Sequence, residues 1–361
     1  MPSEPTQLER RLIERIRRDG PITFRDFMQA ALYDTDLGYY NTERLKIGAQ
    51  GDYYTSSNVH PAFGAVLAQA FAELWVTDEP LEIVEMGAGT GQLAKDVLTA
   101  LRDEHQTIFD NLTYLLVETS PAMRMRQLER LTGFEKRIGW RELEQLEEEP
   151  VCGIIFSNEF VDALPVHRVR RVSPCLEEQY VTVVDHDRLE SVWQEPSTKQ
   201  LGEYIERLGI SLEDGQIVEI NLDAVGWLAK MNQALDHGFL ITIDYGDTAR
   251  ALWTPYRRTG TLRSFHRHRL VDSPLERVGE QDITASVNFT ALIEYGSDYG
   301  FELVSYERQT AVLTWLGLIE RIASQLDPSD SIEDLKERLA VKNLFVPGGV
   351  SDSFRVLIQR R

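Results

Sequence analysis

The spacing of hydrophobic and polar positions changes along the chain, and each change predicts a different kind of element. Between residues 8 and 16, leucine and isoleucine recur at helical spacing, which predicts an amphipathic helix that ends at Gly20. A second helical pattern begins after Thr23, and a third runs from about Pro61 to Trp75. A polar loop rich in glycine and tyrosine separates these two. We therefore predict a helical extension over residues 1–78.

From residue 79 onward, short apolar runs alternate with helical segments. Apolar runs at 81–86, 112–117 and 151–156 are separated by helical patterns over 92–103 and 121–131. Continuous apolar runs are typical of parallel strands that helices cover on both faces, and the alternation predicts βαβ units. The pattern resumes with a run at 218–222, a helix through Leu235 and a run at 238–244. The sequence thus predicts an α/β domain over residues 79–361 with a doubly wound sheet.

Two segments interrupt this α/β pattern. Residues 168–193 alternate as β-strands do, with a helical pattern near 198–208, and predict an antiparallel insertion over about 166–212. A loop-rich segment over about 246–290 carries many of the remaining basic residues and is the candidate substrate segment. Beyond it, the runs at 301–309 and 354–359 predict a hairpin that closes the domain.

Composition and charge narrow the classes of partner. The chain has 38 Lys and Arg against 58 Asp and Glu, a net charge of −20, which argues against nucleic acid as a partner. No stretch reaches the roughly 18 apolar residues that span a bilayer, so no membrane partner is expected. The arginines near the start are interleaved with acids, which transit peptides lack, and a cytoplasmic location is expected. Cys152 and Cys175 form no disulfide framework or metal-ligand spacing, so no metal is predicted.

The apolar run at 81–84 leads into a glycine-rich turn that identifies a cofactor class. Its glycines are Gly87, Gly89 and Gly91, whereas a dinucleotide fingerprint needs its third glycine at position 92, which is Gln92. No Lys followed by Ser or Thr completes a phosphate loop. An acid two residues before the first glycine, here Glu85, is typical of turns that bind S-adenosylmethionine (SAM). The turn therefore predicts a class I methyltransferase with SAM as its cofactor.

A second acid supports this prediction. Glu118 directly follows the run at 112–117, where a carboxylate can accept hydrogen bonds from both ribose hydroxyls of an adenosine. The alternative is that Glu118 only stabilises the N-terminus of the next helix through the helix dipole.

The third apolar run ends in a motif that bears on the substrate. Asn158 and Glu159 stand where methyltransferases of base amino groups commonly carry Asn or Asp followed by two prolines and an aromatic residue. A carboxylate at this position suits a cation, and guanidinium pairs with it bidentately. Glu159 is the first candidate for binding an arginine and accepting its proton, and Asp162 is the second. The alternative is that Glu159 caps a helix or binds a backbone group.

These motifs, taken in order, resemble the MidA family of SAM-dependent methyltransferases, whose mitochondrial members are complex I assembly factors. The resemblance runs through most of the chain and is carried by these segments: 51–56, 85–91, 118–121, 158–165, 244–246, 281–285 and 354–358. It implies a Rossmann-like SAM fold with an N-terminal helical extension, and dimethylation of protein arginine. It also implies that a loop containing Gly51, Asp52, Tyr54 and Thr55 closes over SAM. Asn288 departs from the family, which usually has Asp there.

The leading hypothesis is a protein arginine N-methyltransferase that acts on a respiratory complex subunit or another protein with an accessible arginine. A SAM-binding assembly or sensing protein without turnover is the alternative from another class, and a small-molecule methyltransferase is a third. The sequence leaves the oligomeric state open.

Overall fold

A computed structural model describes residues 4–42, 61–77, 79–267, 269–318 and 353–361. The α-helices in this part of the chain are α1 (Gln7–Asp19), α2 (Phe24–Tyr33), α3 (Pro61–Leu74), α4 (Gln92–Glu104), α5 (Gln106–Asp110), α6 (Pro121–Arg130), α7 (Leu143–Glu148), α8 (Gln200–Arg207), α9 (Leu222–Ala234), α10 (Ala249–Leu252), α11 (Phe289–Asp298) and α12 (Gln309–Trp315).

The strands are β1 (Ile22–Thr23), β2 (Leu81–Met86), β3 (Leu112–Val117), β4 (Ile138–Trp140), β5 (Val151–Asn158), β6 (His167–Val172), β7 (Cys175–Val184), β8 (Arg188–Gln194), β9 (Ile217–Ile220), β10 (Leu235–Asp247), β11 (Arg263–His266), β12 (Arg269–Leu270), β13 (Asp282–Thr284), β14 (Val287–Asn288), β15 (Glu302–Arg308) and β16 (Phe354–Arg360).

The chain divides into two compact units by its internal contacts. The first, which we call the insertion unit, is made of Met1–Tyr53, Asp162–Gly226 and Asp247–Glu294, and the second, the sheet unit, of Tyr54–Val161, Trp227–Gly246 and Tyr295–Arg361. Helix α3 lies in the sheet unit, although the sequence division placed it in the extension over 1–78, because Phe63, Val66 and Phe71 are buried in the core of that unit.

The sheet unit is built on the predicted parallel sheet. Its strands follow the order β15-β16-β10-β5-β2-β3-β4, in which β10, β5, β2, β3 and β4 run parallel to one another. Strands β15 and β16 pair antiparallel with each other, and β16 also pairs antiparallel with β10, so the predicted closing hairpin is confirmed. The α/β class is confirmed as well. The carboxyl ends of β2, β3, β5 and β10 therefore meet at one edge, where ligands bind in such sheets.

The insertion unit is built on an antiparallel sheet of order β1-β7-β6-β9, with β8 paired to β7. Helix α1 begins with a capping box between Thr6 and Glu9, and its buried leucines and isoleucines belong to the same hydrophobic core as the buried side chains of α2. The prediction that the run at 218–222 belongs to the doubly wound sheet is wrong, since β9 pairs antiparallel with β6. A short buried strand has the same apolar pattern in a parallel and in an antiparallel sheet, so the pattern does not distinguish the two.

No helix in the described ranges is long and apolar enough to cross a membrane.

Two glycines allow the central strands of the sheet unit to pair closely near their starts. Gly238 has a φ of +132°, and a Cβ there would lie 1.9 Å from the carbonyl oxygen of Gly153. Gly153 has a φ of +153°, and a Cβ there would lie 2.0 Å from the carbonyl oxygen of Glu82. Only glycine fits such positions, since the contact is with backbone that cannot move aside.

We expect Gly238→Ala to lower the free energy of unfolding by at least about 2 kcal/mol, because backbone strain alone costs about 1–3 kcal/mol and the clash adds to it. Gly226→Ala is the matched control: Gly226 is exposed in α9, a Cβ there meets nothing within 4 Å, and alanine stabilises a helix by roughly 0.5–1 kcal/mol. Urea unfolding of the wild type and the two variants measures both changes in the free energy of unfolding. An unchanged free energy for Gly238→Ala would show that the strands can separate without cost.

Candidate active site

The glycine turn after β2 has the backbone conformation that its sequence predicts. Gly87, Gly89 and Gly91 have φ angles of +66°, +51° and +75°, all in the left-handed region. The Gly87 N–H donates to the carbonyl of Val117 at 3.0 Å, which ties the turn to the end of β3. Gly91 is the N-cap of α4, and no side chain of the described residues caps that helix. The first N–H groups of α4 thus lack the usual side-chain acceptor.

Gln127 connects the glycine turn to β3 and β4. It lies on α6 with no exposed surface, and its amide nitrogen donates to the carbonyl of Gly89 at 2.8 Å and to Oε2 of Glu118 at 3.4 Å. Its amide oxygen accepts from the indole N–H of Trp140 at 2.7 Å. One buried amide therefore fixes both the middle glycine and the acid that follows β3.

Glu118 lies directly after β3, half-buried beside this network. Its Oε1 accepts from the backbone N–H of Ser120 at 2.9 Å, and the guanidinium of Arg124 donates to its backbone carbonyl at 2.6 Å. Burial raises the pKa of the Glu118 carboxyl, and the hydrogen bond from Ser120 opposes that rise. Each carboxylate oxygen keeps a further lone pair, so the side chain can accept hydrogen bonds from a diol.

Glu85, the acid before the glycines, lies inside the sheet unit. It is 4% exposed, and the hydroxyl of Tyr114 donates to its Oε2 at 2.7 Å. Burial raises the pKa of Glu85 to about 8, and the nearby Glu118 carboxylate adds to the rise, while the bond from Tyr114 opposes it. With this pKa, the buried Glu85 carboxyl is mostly protonated at neutral pH.

The end of β5 brings the candidate substrate residues next to the turn. Asn158, Glu159 and Phe160 are half-buried, and the Asn158 amide donates to Oε1 of Glu159 at 3.3 Å. A Cβ on Gly87 would lie 2.8 Å from the Phe160 ring, so that ring covers the first glycine. Asn158 Oδ1 is buried without a hydrogen-bond partner among the described residues.

Asp244 in β10 holds the chain that leaves β5. Its Oδ2 accepts from the backbone N–H groups of Phe160 at 3.2 Å and Val161 at 2.8 Å, and its Oδ1 accepts from that of Tyr245 at 2.8 Å. Glu159 itself has a φ of +52°, rare for a residue with a side chain, and its N–H donates to the carbonyl of Ile243 at 3.0 Å. The conformation of Glu159 is thus imposed by the bonds on both sides of it.

Asp162 belongs to the insertion unit, and Asn158 and Glu159 belong to the sheet unit. The side chain of Asp162 is 5% exposed, and its backbone carbonyl accepts from the N–H of Ala285 at 3.0 Å. The predicted SAM-covering residues Gly51, Asp52, Tyr54 and Thr55 lie outside the described residues.

The residues at this edge fit a nucleoside sulfonium. Three left-handed glycines shape the turn at the end of β2, and Glu118 offers acceptors for ribose hydroxyls. Two buried polar atoms, Ser120 Oγ and Asn158 Oδ1, have no partner within the described ranges. Because buried polar groups are almost always hydrogen-bonded, their position at the strand ends indicates that a polar ligand binds here.

Three residues of the site were not found from the sequence. Gln127 stands between Met123 and Leu131 at four-residue spacing, and a polar residue in such an apolar series was the available signal. Tyr114 read as one more apolar position of a buried strand, and no local pattern pairs it with Glu85. Trp140 gave no signal, since its partner Gln127 lies on another element.

A family model described as S-adenosyl-L-methionine-dependent methyltransferase matches residues 64–306. The chain belongs to this family.

Similar proteins agree with the assignment. The mitochondrial protein arginine methyltransferase NDUFAF7 homolog of Drosophila melanogaster is 28% identical over 315 residues, which cover 78% of this chain and 68% of that protein. The Caenorhabditis elegans homolog is 28% identical over 359 residues, covering 89% and 79%. A crystal structure from Burkholderia thailandensis with bound S-adenosyl-homocysteine is 28% identical, covers 100% of this chain and 95% of its own, and has a TM-score of 0.90.

The predicted Rossmann-like methyltransferase fold, the resemblance to the MidA family and SAM as cofactor are thereby confirmed. The protein is a SAM-dependent methyltransferase, and the roles of its individual site residues stay predictions.

For this methyltransferase we expect Gly89→Ala to weaken SAM binding at least tenfold. The left-handed conformation costs a residue with a side chain about 1–2 kcal/mol, so the turn shifts away from its ligand-binding shape. Gly133→Ala is the control, since Gly133 has a φ of +98°, a Cβ there meets nothing within 4 Å, and it lies beyond the site. Calorimetric titration with SAM compares the variants, and equal affinities would remove the turn from the binding site.

We also expect the stability of the ligand-free methyltransferase to depend on Glu85 through pH. Its pKa rises from an ordinary 4.5 to about 8 on folding, so between these values the folded protein binds more protons than the unfolded chain. Stability then falls as pH rises through this window, by up to about 1.4 kcal/mol per pH unit. Glu85→Gln cannot titrate and still accepts from Tyr114.

The gain in unfolding free energy of Glu85→Gln over wild type should therefore grow between pH 5.5 and 7.5, measured by urea unfolding. Glu129→Gln, a substitution at an exposed position of α6, should show a constant difference. A constant difference for Glu85→Gln as well would mean that the buried carboxyl is already ionised in the folded protein.

Proposed function

We propose that this methyltransferase transfers methyl groups to arginine side chains of a protein. The observation that carries the proposal is the end of β5, where a carboxylate and an unpartnered amide oxygen lie side by side. Glu159 Oε1 is 3.3 Å from the Asn158 amide nitrogen, and Asn158 Oδ1 is buried without a partner in the described ranges. Both groups are acceptors, and guanidinium offers donors only.

Charge supports guanidinium over a neutral amine. The carboxylate of Glu159 pairs with a guanidinium in two parallel hydrogen bonds, which a neutral base amine cannot match. The net charge of −20 favours approach of a basic protein segment and disfavours nucleic acid.

The position of Glu159 is fixed before substrate binds. Its φ of +52° is held by its N–H bond to Ile243, while Asp244 binds the next two N–H groups of the chain. A preorganised carboxylate loses little entropy on pairing with the substrate.

The reaction requires one proton to leave the guanidinium. The glycine turn and Glu118 would hold SAM, which would supply the methyl group to a guanidinium nitrogen and leave as S-adenosyl-homocysteine. Glu159 orients the guanidinium nitrogen and accepts the proton released from it, and Asn158 accepts a second hydrogen bond from the same group. The products are a methylated arginine, S-adenosyl-homocysteine and a proton.

Relatives give independent support. The Drosophila melanogaster and Caenorhabditis elegans proteins described above bear the name protein arginine methyltransferase, and the chain matches 78% and 89% of its length to them. The predicted cytoplasmic location stays a prediction, and the names of both relatives place them in mitochondria.

We expect Glu159→Gln to bind SAM as wild type does and to transfer methyl groups about 10²–10⁴-fold more slowly, the range for loss of a general base. The measurement uses SAM labelled on its methyl group, an extract of the source cells and acid hydrolysis of the labelled protein. The label should be recovered in methylarginine. Glu129→Gln is the control, because its glutamate is exposed on α6 and is not one of the candidate site residues.

Label recovered only in methyllysine or in a small molecule would reject arginine as the substrate. Undiminished transfer by Glu159→Gln would remove that residue from the mechanism, and an extract without any labelled product would favour the SAM-binding assembly protein.

A further inference from the structure

Three residues with metal-binding side chains meet at the opposite end of the parallel sheet. Cys152 is the second residue of β5, and Asp236 and His237 follow the first residue of β10. All three belong to the sheet unit. Their candidate ligand atoms lie within 4.8 Å of one another. The distance along β5 from Cys152 to Asn158 is six residues, about 20 Å at 3.3 Å per residue, so this cluster is separate from the methyl-transfer site.

An irregularity in β10 brings the three side chains together. Leu235 pairs with Val151 and His237 pairs with Cys152, so Asp236 is an extra residue in the ladder. In a regular strand, Asp236 and His237 would point to opposite faces of the sheet. A bulge redirects one of two consecutive side chains, and here both approach the cysteine.

Two of the distances among the three groups match a tetrahedral metal site. Asp236 Oδ2 is 3.8 Å from the sulfur of Cys152 and 3.3 Å from Nδ1 of His237. Tetrahedral angles with Zn–S of about 2.3 Å and Zn–N and Zn–O of about 2.1 Å place the same pairs about 3.6 Å and about 3.4 Å apart. The two distances from Asp236 are therefore within a few tenths of an ångström of a tetrahedral site, and the cysteine sulfur and a histidine nitrogen lie within 4.8 Å of each other.

The second nitrogen of His237 is already oriented. Glu79 Oε2 lies 3.2 Å from Nε2 of His237, and the Trp75 ring stacks on the imidazole with centroids 5.8 Å apart. A carboxylate on the far nitrogen is the usual partner of a metal-bound histidine, since it fixes the tautomer and the ring plane. The imidazole thus presents Nδ1 toward Cys152 and Asp236.

The surroundings carry negative charge and are open to solvent. Glu82 accepts from the backbone N–H of Cys152 at 3.0 Å, and Glu79 and Asp236 lie 3.2 and 3.3 Å from the nitrogens of His237. These carboxylates favour the approach of a cation. The side chains of Asp236 and His237 are 67% and 48% exposed, so an ion can enter without rearrangement of the core.

We propose that Cys152, Asp236 and His237 form a site for a thiophilic divalent cation of the zinc type, with Glu79 orienting His237. A thiolate, an imidazole and a carboxylate are the ligand set that Zn²⁺ prefers, and water completes the tetrahedron. Binding releases the proton of the thiol to solvent. The ion braces the starts of β5 and β10 and takes no part in methyl transfer.

The test uses the untagged, full-length protein, freed of metal by a chelator and titrated with Co²⁺, whose bond to a thiolate gives an ultraviolet charge-transfer band. We expect a saturable band for wild type and for Cys175→Ser, because Cys175 is the exposed free cysteine of the insertion unit. Cys152→Ser should lose the band. Glu79→Gln should keep it but weaken Co²⁺ binding about 10–100-fold, the range for loss of such an orienting group.

Asp236→Asn covers the case in which Cys152→Ser does not fold, since its exposed side chain supports no packing. Its Co²⁺ affinity should fall at least tenfold, and calorimetry with SAM should give the wild-type affinity for every variant. The proposal is overturned by the absence of a band in wild type, by a band that survives in Cys152→Ser, or by unchanged affinity in Asp236→Asn.

Discussion

The candidate site depends on one buried carboxylate, that of Asp244. A charge with no exposed surface costs several kcal/mol unless hydrogen bonds compensate it, and Asp244 accepts from the N–H groups of Phe160, Val161 and Tyr245. Those bonds fix the turn that leaves β5 against the adjacent strand. Glu159 can then keep its left-handed backbone because its neighbours in the chain have no freedom to relax it.

The glycine turn after β2 is stabilised by a second buried polar residue, Gln127, in the same manner. Its amide donates to the Gly89 carbonyl and to Glu118, and accepts from Trp140. Because the Gln127 amide is neutral, it forms these three hydrogen bonds without adding a charge beside Glu85 and Glu118. The raised pKa of Glu85 follows the same logic, because burial and the neighbouring Glu118 favour its protonated form. Protonation of Glu85 thereby avoids a second negative charge beside Glu118.

Local patterns in the sequence predicted the parallel strands β2, β3, β5 and β10 and the glycine turn, because apolar runs and glycine spacing are local features, but they did not predict β4. Glu118 and the residues at the end of β5 were assigned candidate roles from their places at strand ends. Long-range pairing was not predictable in this way. The run at 218–222 was assigned to the wrong sheet because β9 has the same apolar pattern as a parallel strand, and only its pairing with β6 distinguishes the two. The partners of Gln127 and Tyr114 lie on other elements, so neither residue could be assigned a role.

The same limit explains why the sequence patterns assigned no function to Cys152 and Cys175. Cys152, Asp236 and His237 have no metal-binding spacing, since 84 residues separate the cysteine from the aspartate. They meet only because β5 and β10 are neighbours and because the bulge at Asp236 breaks the alternation of side chains. Gly153 and Gly238 pair with each other directly after the bulge, where the register is regular again. Their close approach therefore does not require the bulge. The bulge at Asp236 thus gathers a thiol, an imidazole and a carboxylate, which is the arrangement that the proposed cation site requires.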